Sequence, residues 1–155
     1  MKNLKVIFLF IILQTLLFGK VIDINKLEQK ANIEHKYILL FFHMDYCPYC
    51  EMMIRQNFTP KDLDNIKSNF VFVDINISDD DTILYQNFKG SKKDFARRYD
   101  IYLFPTVIFI KDGEVAYKVR GYRKKEKFSY ILKYIKSKSY EDETIGEFIN
   151  KYKKR

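Results

Sequence analysis

Cys47 and Cys50 are the only cysteines in the chain, and they stand together as Cys47-Pro48-Tyr49-Cys50. Their spacing limits what they can do. A disulfide between them closes a loop with two residues inside it, which constrains the unfolded chain very little. Exchange chemistry suits such a pair better: Cys47 attacks a sulfur, and Cys50 resolves the mixed disulfide that results. One dithiol does the whole job, so no cofactor is expected. The competing reading is half of a zinc site. Four ligands are normal there, and the only histidines are His35 and His43. His35 ends a helix ahead of the strand that precedes the cysteines, a poor geometry, so no metal is expected.

The neighbouring residues position the pair. Tyr37 to Phe42 is a continuous apolar run, as expected of a central strand covered on both faces. The linker His43-Met44-Asp45-Tyr46 follows, and Cys50 to Asn57 carries good helix formers. Cys47 therefore opens a helix, where unpaired N–H groups and the helix dipole favour thiolate over thiol. Pro48 suits the first turn because its missing N–H would be unpaired there anyway. Cys50, one turn on, is expected to be shielded and less acidic. A protonated His43 would lower the Cys47 pKa, but the expectation is a partly exposed loop residue with no catalytic duty. Met52, Met53 and Ile54 read as core filling on this helix.

The rest alternates between helix and strand. Asn25 with Glu28 marks a helix over 25–35, and Thr59 caps a second start at Pro60. Phe70 to Ile77 is a second apolar strand. Residues 79–90 read as a loop with an extended piece at Ile83–Gln86. Ser91 and Asp94 form a capping pair for a helix to about Tyr99. Thr106 to Ile110 is a third buried strand, Asp112-Gly113 a tight turn, and Val115 to Val119 its partner. Phe128, Ile131, Leu132 and Ile135 lie at helical spacing. A last amphipathic helix, from Thr144, sets Ile145, Phe148, Ile149 and Tyr152 on one face, expected to dock on its own domain. The order implies an α/β fold with a mixed sheet and helices on both faces.

Residues 1–20 stand apart. Lys2 and Lys5 precede the apolar stretch Val6–Phe18, which is shorter than the ~20 residues of a spanning helix and has the layout of a secretory signal. Gly19 suits cleavage and Leu17 does not, so a cleaved signal and an uncleaved anchor both stay open; either places the domain outside the cytoplasm. The formal charge of +8 falls to +6 without Lys2 and Lys5. No basic run is interleaved with a nucleic-acid-binding module, so no nucleic-acid partner is expected. The closing Lys151–Arg155 cluster reads as a solvated end.

Phe104-Pro105-Thr106 leads into the third strand, where a proline is unusual unless it is cis or begins the strand. With the strand, Cys-x-x-Cys, the x-Pro-Thr, the Asp-Gly hairpin and Gly121 before a final helix, the chain resembles the thioredoxin superfamily over about residues 23–136. The resemblance implies a thioredoxin fold over 21–138: a central mixed sheet flanked by helices, with 139–155 an added C-terminal helix and basic end. It implies that Pro105 is cis and lies against Cys47, and that the Phe104 backbone bonds an extended substrate. Tyr46, Pro48 and Tyr49 flank the pair as candidate substrate contacts; for the two tyrosines packing is the alternative.

The nearest resemblance is to exported thioredoxin-like proteins with an insertion, matched here by 79–90. It implies a thiol–disulfide oxidoreductase, more a reductase than an oxidase or isomerase, acting on exported protein thiols and disulfides and recharged by a membrane electron-transfer partner. A peptide-binding module that no longer turns over is the alternative outside enzymology. Cys-Pro-Tyr-Cys itself resembles glutaredoxins, but their downstream Gly-Gly and acidic residue are missing. Tyr46 stands where thioredoxins have Trp, and Phe41 where they have a buried Asp that handles the Cys50 proton. Asp74 is the nearest replacement, with a water-facing strand end as the plainer role.

Overall fold

The computed structural model describes residues 19–154. Segment 1–18, most of the stretch read as an export signal, lies outside the described residues, as does Arg155. Among the described residues no helix is long and apolar enough to cross a membrane.

Strand β2 (Tyr37–His43) is buried along its whole length, and the architecture follows from covering both its faces. Parallel β3 (Phe70–Asn76) lies on one side of it and antiparallel β6 (Thr106–Lys111) on the other, with β7 (Glu114–Arg120) at the edge. Alternation sends Tyr37, Leu39 and Phe41 to one side. There they meet Met53 of α2 (Pro48–Asn57), Ile66 of α3 (Pro60–Asn69) and Phe128 of α5 (Lys125–Lys136). Ile38, Leu40 and Phe42 point the other way, to Ile24 of α1 (Ile24–Ile33) and Phe95 of α4 (Lys92–Arg98). This is the expected mixed sheet between helical layers.

Residues 79–90 depart from the expected loop. They contain β4 (Thr82–Tyr85) and most of β5 (Phe88–Ser91), an antiparallel hairpin, and β4 pairs in parallel with a short β1 (Val21–Asp23). The strands therefore form two sheets rather than one. The hairpin turn, Gln86-Asn87, has neither glycine nor proline; Gln86 takes φ +52° and donates its N–H to the Asn25 side chain at 2.7 Å. That bond also corrects the reading of Asn25: Asp23 caps α1, its carboxylate accepting from the Lys26 N–H. Tyr85 is fully buried, with its hydroxyl donating to Glu28 at 3.0 Å.

A buried cation ties the same insertion to α4. Lys92 Nζ lies 2.8 Å from both Asp79 and Asp81. Burial opposes its charge, and the hydrogen bonds to the two carboxylates outweigh that, holding its pKa above the ordinary lysine value. At the other end of the chain, α6 (Ile145–Lys153) begins with a Thr144–Glu147 capping box and buries Phe148 against Tyr134. The final helix thus covers its own core.

Phe95 joins the insertion to the sheet, with its ring 6.0 Å from Phe42, 6.1 Å from Tyr85 and 5.3 Å from Phe88. Phe95→Ala is expected to lower the free energy of unfolding by about 3–5 kcal/mol, measured by urea titration. A loss under about 1 kcal/mol would mean that the insertion packs independently of the sheet.

Candidate active site

Cys47 is the N-cap residue of α2, and its Sγ accepts the Cys50 N–H at 3.2 Å. Pro48 fills the first helical position. The two cysteines form a disulfide, with Cα atoms 5.2 Å apart. Cys47 is half-buried while Cys50 is 1% exposed, so an external thiol reaches Cys47 first. In the reduced state the same amide and helix terminus favour negative charge on Cys47.

The facing wall comes from the chain before β6. Phe42 pairs with Thr106, so Pro105 lies level with His43, at the sheet end from which Cys47 follows. The Phe104–Pro105 peptide bond is cis. Thr106 Oγ1 donates to the Leu103 carbonyl at 2.6 Å, and the Pro105 carbonyl accepts the Gly121 N–H at 2.8 Å. Gly121 has φ +82°, a conformation that favours glycine. Lys118 Nζ braces the start of this loop by donating to the Tyr99 carbonyl at 2.6 Å. Burial, reinforced by Arg120, holds its ammonium pKa below the ordinary lysine value.

The turn after β7 joins both walls. Buried Asn57, at the end of α2, donates to the Arg123 carbonyl at 2.9 Å. Tyr122 donates to Gln56 at 2.6 Å and sets its ring 6.3 Å from Tyr49. Tyr122 was not among the sequence-derived candidates; the signal for it was its place directly after Gly121.

Apolar surface collects around the pair. Of nine large hydrophobic residues exposed among those described, five lie in the segments bearing Cys47 and Pro105: Met44, Tyr46, Tyr49, Tyr102 and Leu103. Tyr46 is 98% exposed with φ +55°, so packing does not explain it. Tyr49 shares its ring contact with Tyr122 and is still mostly exposed. Met44, Tyr102 and Leu103 were missed because nothing in the sequence marked them as uncovered. A cleft of about 290 Å³ lies elsewhere, lined by α3 and α5 side chains, and includes neither cysteine. Exposed Tyr46, Pro48 and Tyr49 flank Cys47, so its sulfur stands at an open surface.

His43 differs from its expected role. It is the last residue of β2, 9% exposed, with its ring stacked on Phe41 at 5.0 Å and its Nε2 2.8 Å from Asp74 Oδ1. The linker expected from His43 thus starts one residue later, because β3 and its Asp74 hold the imidazole in place. Asp74 stands beside Phe41 on β3, and its side chain is 60% exposed. Asp74 faces water, as a strand-end residue would, and also bonds the buried His43 ring. His35 lies two residues before β2, whose span from Tyr37 to His43 is itself roughly 20 Å. Among the described residues no group of three or more His, Cys, Asp or Glu is placed to hold a metal ion.

A buried strand, a helix opened by one of two bonded cysteines, and a proline at the head of the adjacent strand support the class of thiol–disulfide oxidoreductases in general. The family model for the thioredoxin-like domain matches residues 24–136, and the chain belongs to that family. A thioredoxin-fold protein from Helicobacter pylori is 30% identical, with 76% of this chain and 79% of that one covered and a TM-score of 0.58. A thioredoxin from Thermus thermophilus shares the fold at 20% identity, covering 76% of this chain and 86% of that one, with a TM-score of 0.56. No curated protein matches the chain.

In the reduced protein, Cys47 is expected to ionise below the ~8.5 of a free thiol and before Cys50. Thiolate absorbance near 240 nm on Cys50→Ser, followed through a pH titration, measures it. An ordinary thiol pKa there would remove the role assigned to the helix terminus.

Proposed function

We propose that this chain is an exported protein-disulfide reductase. Cys47 attacks a disulfide in an exported protein, and Cys50 then displaces the reduced product. The observation that carries this is the unequal pair: a half-buried Cys47 receiving an amide at a helix start, with Cys50 enclosed one turn below. Phe104 and cis-Pro105 form the facing edge of the groove, where the Phe104 backbone pairs with an extended segment of the substrate. Tyr46, Pro48 and Tyr49 line it with Met44, Tyr102 and Leu103. An apolar, open surface suits a polypeptide better than a small disulfide.

The reductive direction rests on resemblance to exported thioredoxin-like reductases. Export rests on the layout of residues 1–20. Outside the cytoplasm a dithiol tends to become oxidised, so a membrane electron carrier must return two electrons to Cys47–Cys50.

Reduction of a disulfide-bonded protein such as insulin, followed by turbidity with dithiothreitol as electron source, tests the chemistry. Cys47→Ser is expected to fall to the reductant-only background. Cys50→Ser is expected to lose turnover while accumulating a mixed disulfide through Cys47, visible by mass spectrometry. A wild type that adds nothing to background would leave a non-catalytic peptide-binding module as the better reading. Equilibration with glutathione gives the direction: a potential near ~−270 mV fits a reductant, and one near ~−120 mV an oxidant.

A further inference from the structure

We infer that His43, oriented by Asp74, is the base that takes the proton from Cys50 when the mixed disulfide is resolved. This rests on the oxidoreductase reading and deepens it. The problem it answers is plain. Cys50 is enclosed, an apolar surrounding raises a thiol's pKa, and only the thiolate attacks. A buried thiol that must react needs a nearby acceptor for its proton. The side chain at Phe41 is a phenyl ring and accepts nothing.

The placement meets that need. Met53 of α2 packs in the same core layer as Phe41, and Cys50 and Met53 are both buried on α2, one turn apart. His43 stacks on Phe41, so it belongs to that layer, at the sheet end where α2 begins. Cys50 is thus buried one turn before Met53 on the helix that covers Phe41, and His43 lies on the same face of β2 at the end from which that helix follows. The ring is held twice, by its stack and by Asp74. With Nε2–H donated to the Asp74 carboxylate, Nδ1 becomes the acceptor, and it makes no other hydrogen bond among the described residues. The remaining charges nearest in the chain are engaged elsewhere or point outward: Asp45 accepts from Asn76 at 2.8 Å, and Glu51 and Arg55 pair at 3.6 Å on the exposed face of α2. On the β6 side, Pro105 and Thr106 lie level with His43 and Phe42 and carry no titratable side chain.

The step balances. The Cys50 proton passes to His43 Nδ1, and Cys50 Sγ attacks Cys47 Sγ. The bond between Cys47 and the substrate sulfur breaks, and that sulfur leaves with the electron pair and takes a proton from water. The pair Cys47–Cys50 ends oxidised and the substrate sulfur reduced. The imidazolium then releases its proton to solvent by way of Asp74.

Stopped-flow mixing of reduced protein, in excess, with Ellman's reagent separates the steps. The first thionitrobenzoate reports attack by Cys47, and the second reports resolution by Cys50. His43→Phe, which keeps the ring stack, is expected to slow the second release ~10²-fold and to change the pH profile of that release. Asp74→Asn is expected to slow the same release ~10-fold or more, and Asp74→Glu to recover most of it. A second release in His43→Phe with wild-type rate and pH profile overturns the assignment. So does an equal loss in both releases with the profile unchanged, which marks structural damage. A wild type that gives no second release sinks the oxidoreductase reading instead.

Discussion

A peptide N–H aimed at a sulfur acts on it only while the helix supplying that N–H starts in a fixed place. In this chain the place is set by β2. Every residue of that strand is buried, so its two faces cannot be exchanged and its register cannot slip without exposing one core or the other. Pairing with β3 and β6 then fixes which ends meet: Asp74 beside Phe41, and Thr106 beside Phe42. The cysteines, the proline and the imidazole all inherit their positions from that one strand. Core packing and chemistry are here the same constraint, since Phe41 anchors both the α2 layer and the His43 ring.

Much of this was legible because it rests on strong local signals. A six-residue apolar run, a Thr-Pro helix start, an Asp-Gly turn and a Ser-x-x-Asp cap each have one cheap backbone solution, and the elements appear within a residue or so of where they were expected. The hairpin at 82–91 was not legible for an equally physical reason. Its turn residue Gln86 takes a left-handed conformation without being glycine, and the compensation comes from Asn25, 61 residues away in sequence. A long-range bond leaves no trace in a local pattern. His43 was misread in the same way, because Asp74 lies 31 residues on and only strand pairing brings it close. The exposed rim followed suit: Met44, Tyr102 and Leu103 differ from core residues only in being left uncovered.

The insertion shows how an addition to this fold is kept from loosening it. Burying a lysine beside two carboxylates is costly in desolvation, and a pair of apolar residues would stabilise as well. Asp79 and Asp81 each reach the ammonium at 2.8 Å and so tie the entry to β4 to α4. Asp81 also accepts the Lys20 N–H at 2.8 Å, which ties the first described residues to the same point. The second sheet is thereby held against α1 and α4, on the layer opposite the cysteines, where its edge does not compete for the Pro105 groove.

Replacing a buried carboxylate with a His–Asp pair changes where charge is stored. A lone acid in the Phe41 layer would have to ionise in apolar surroundings, where desolvation works against it. Here the carboxylate belongs to Asp74, whose side chain is 60% exposed, and the buried member is an imidazole. Positive charge that develops on it during transfer lies next to a carboxylate that stabilises it. Because Asp74 opens to solvent, the proton has a short way out between turnovers.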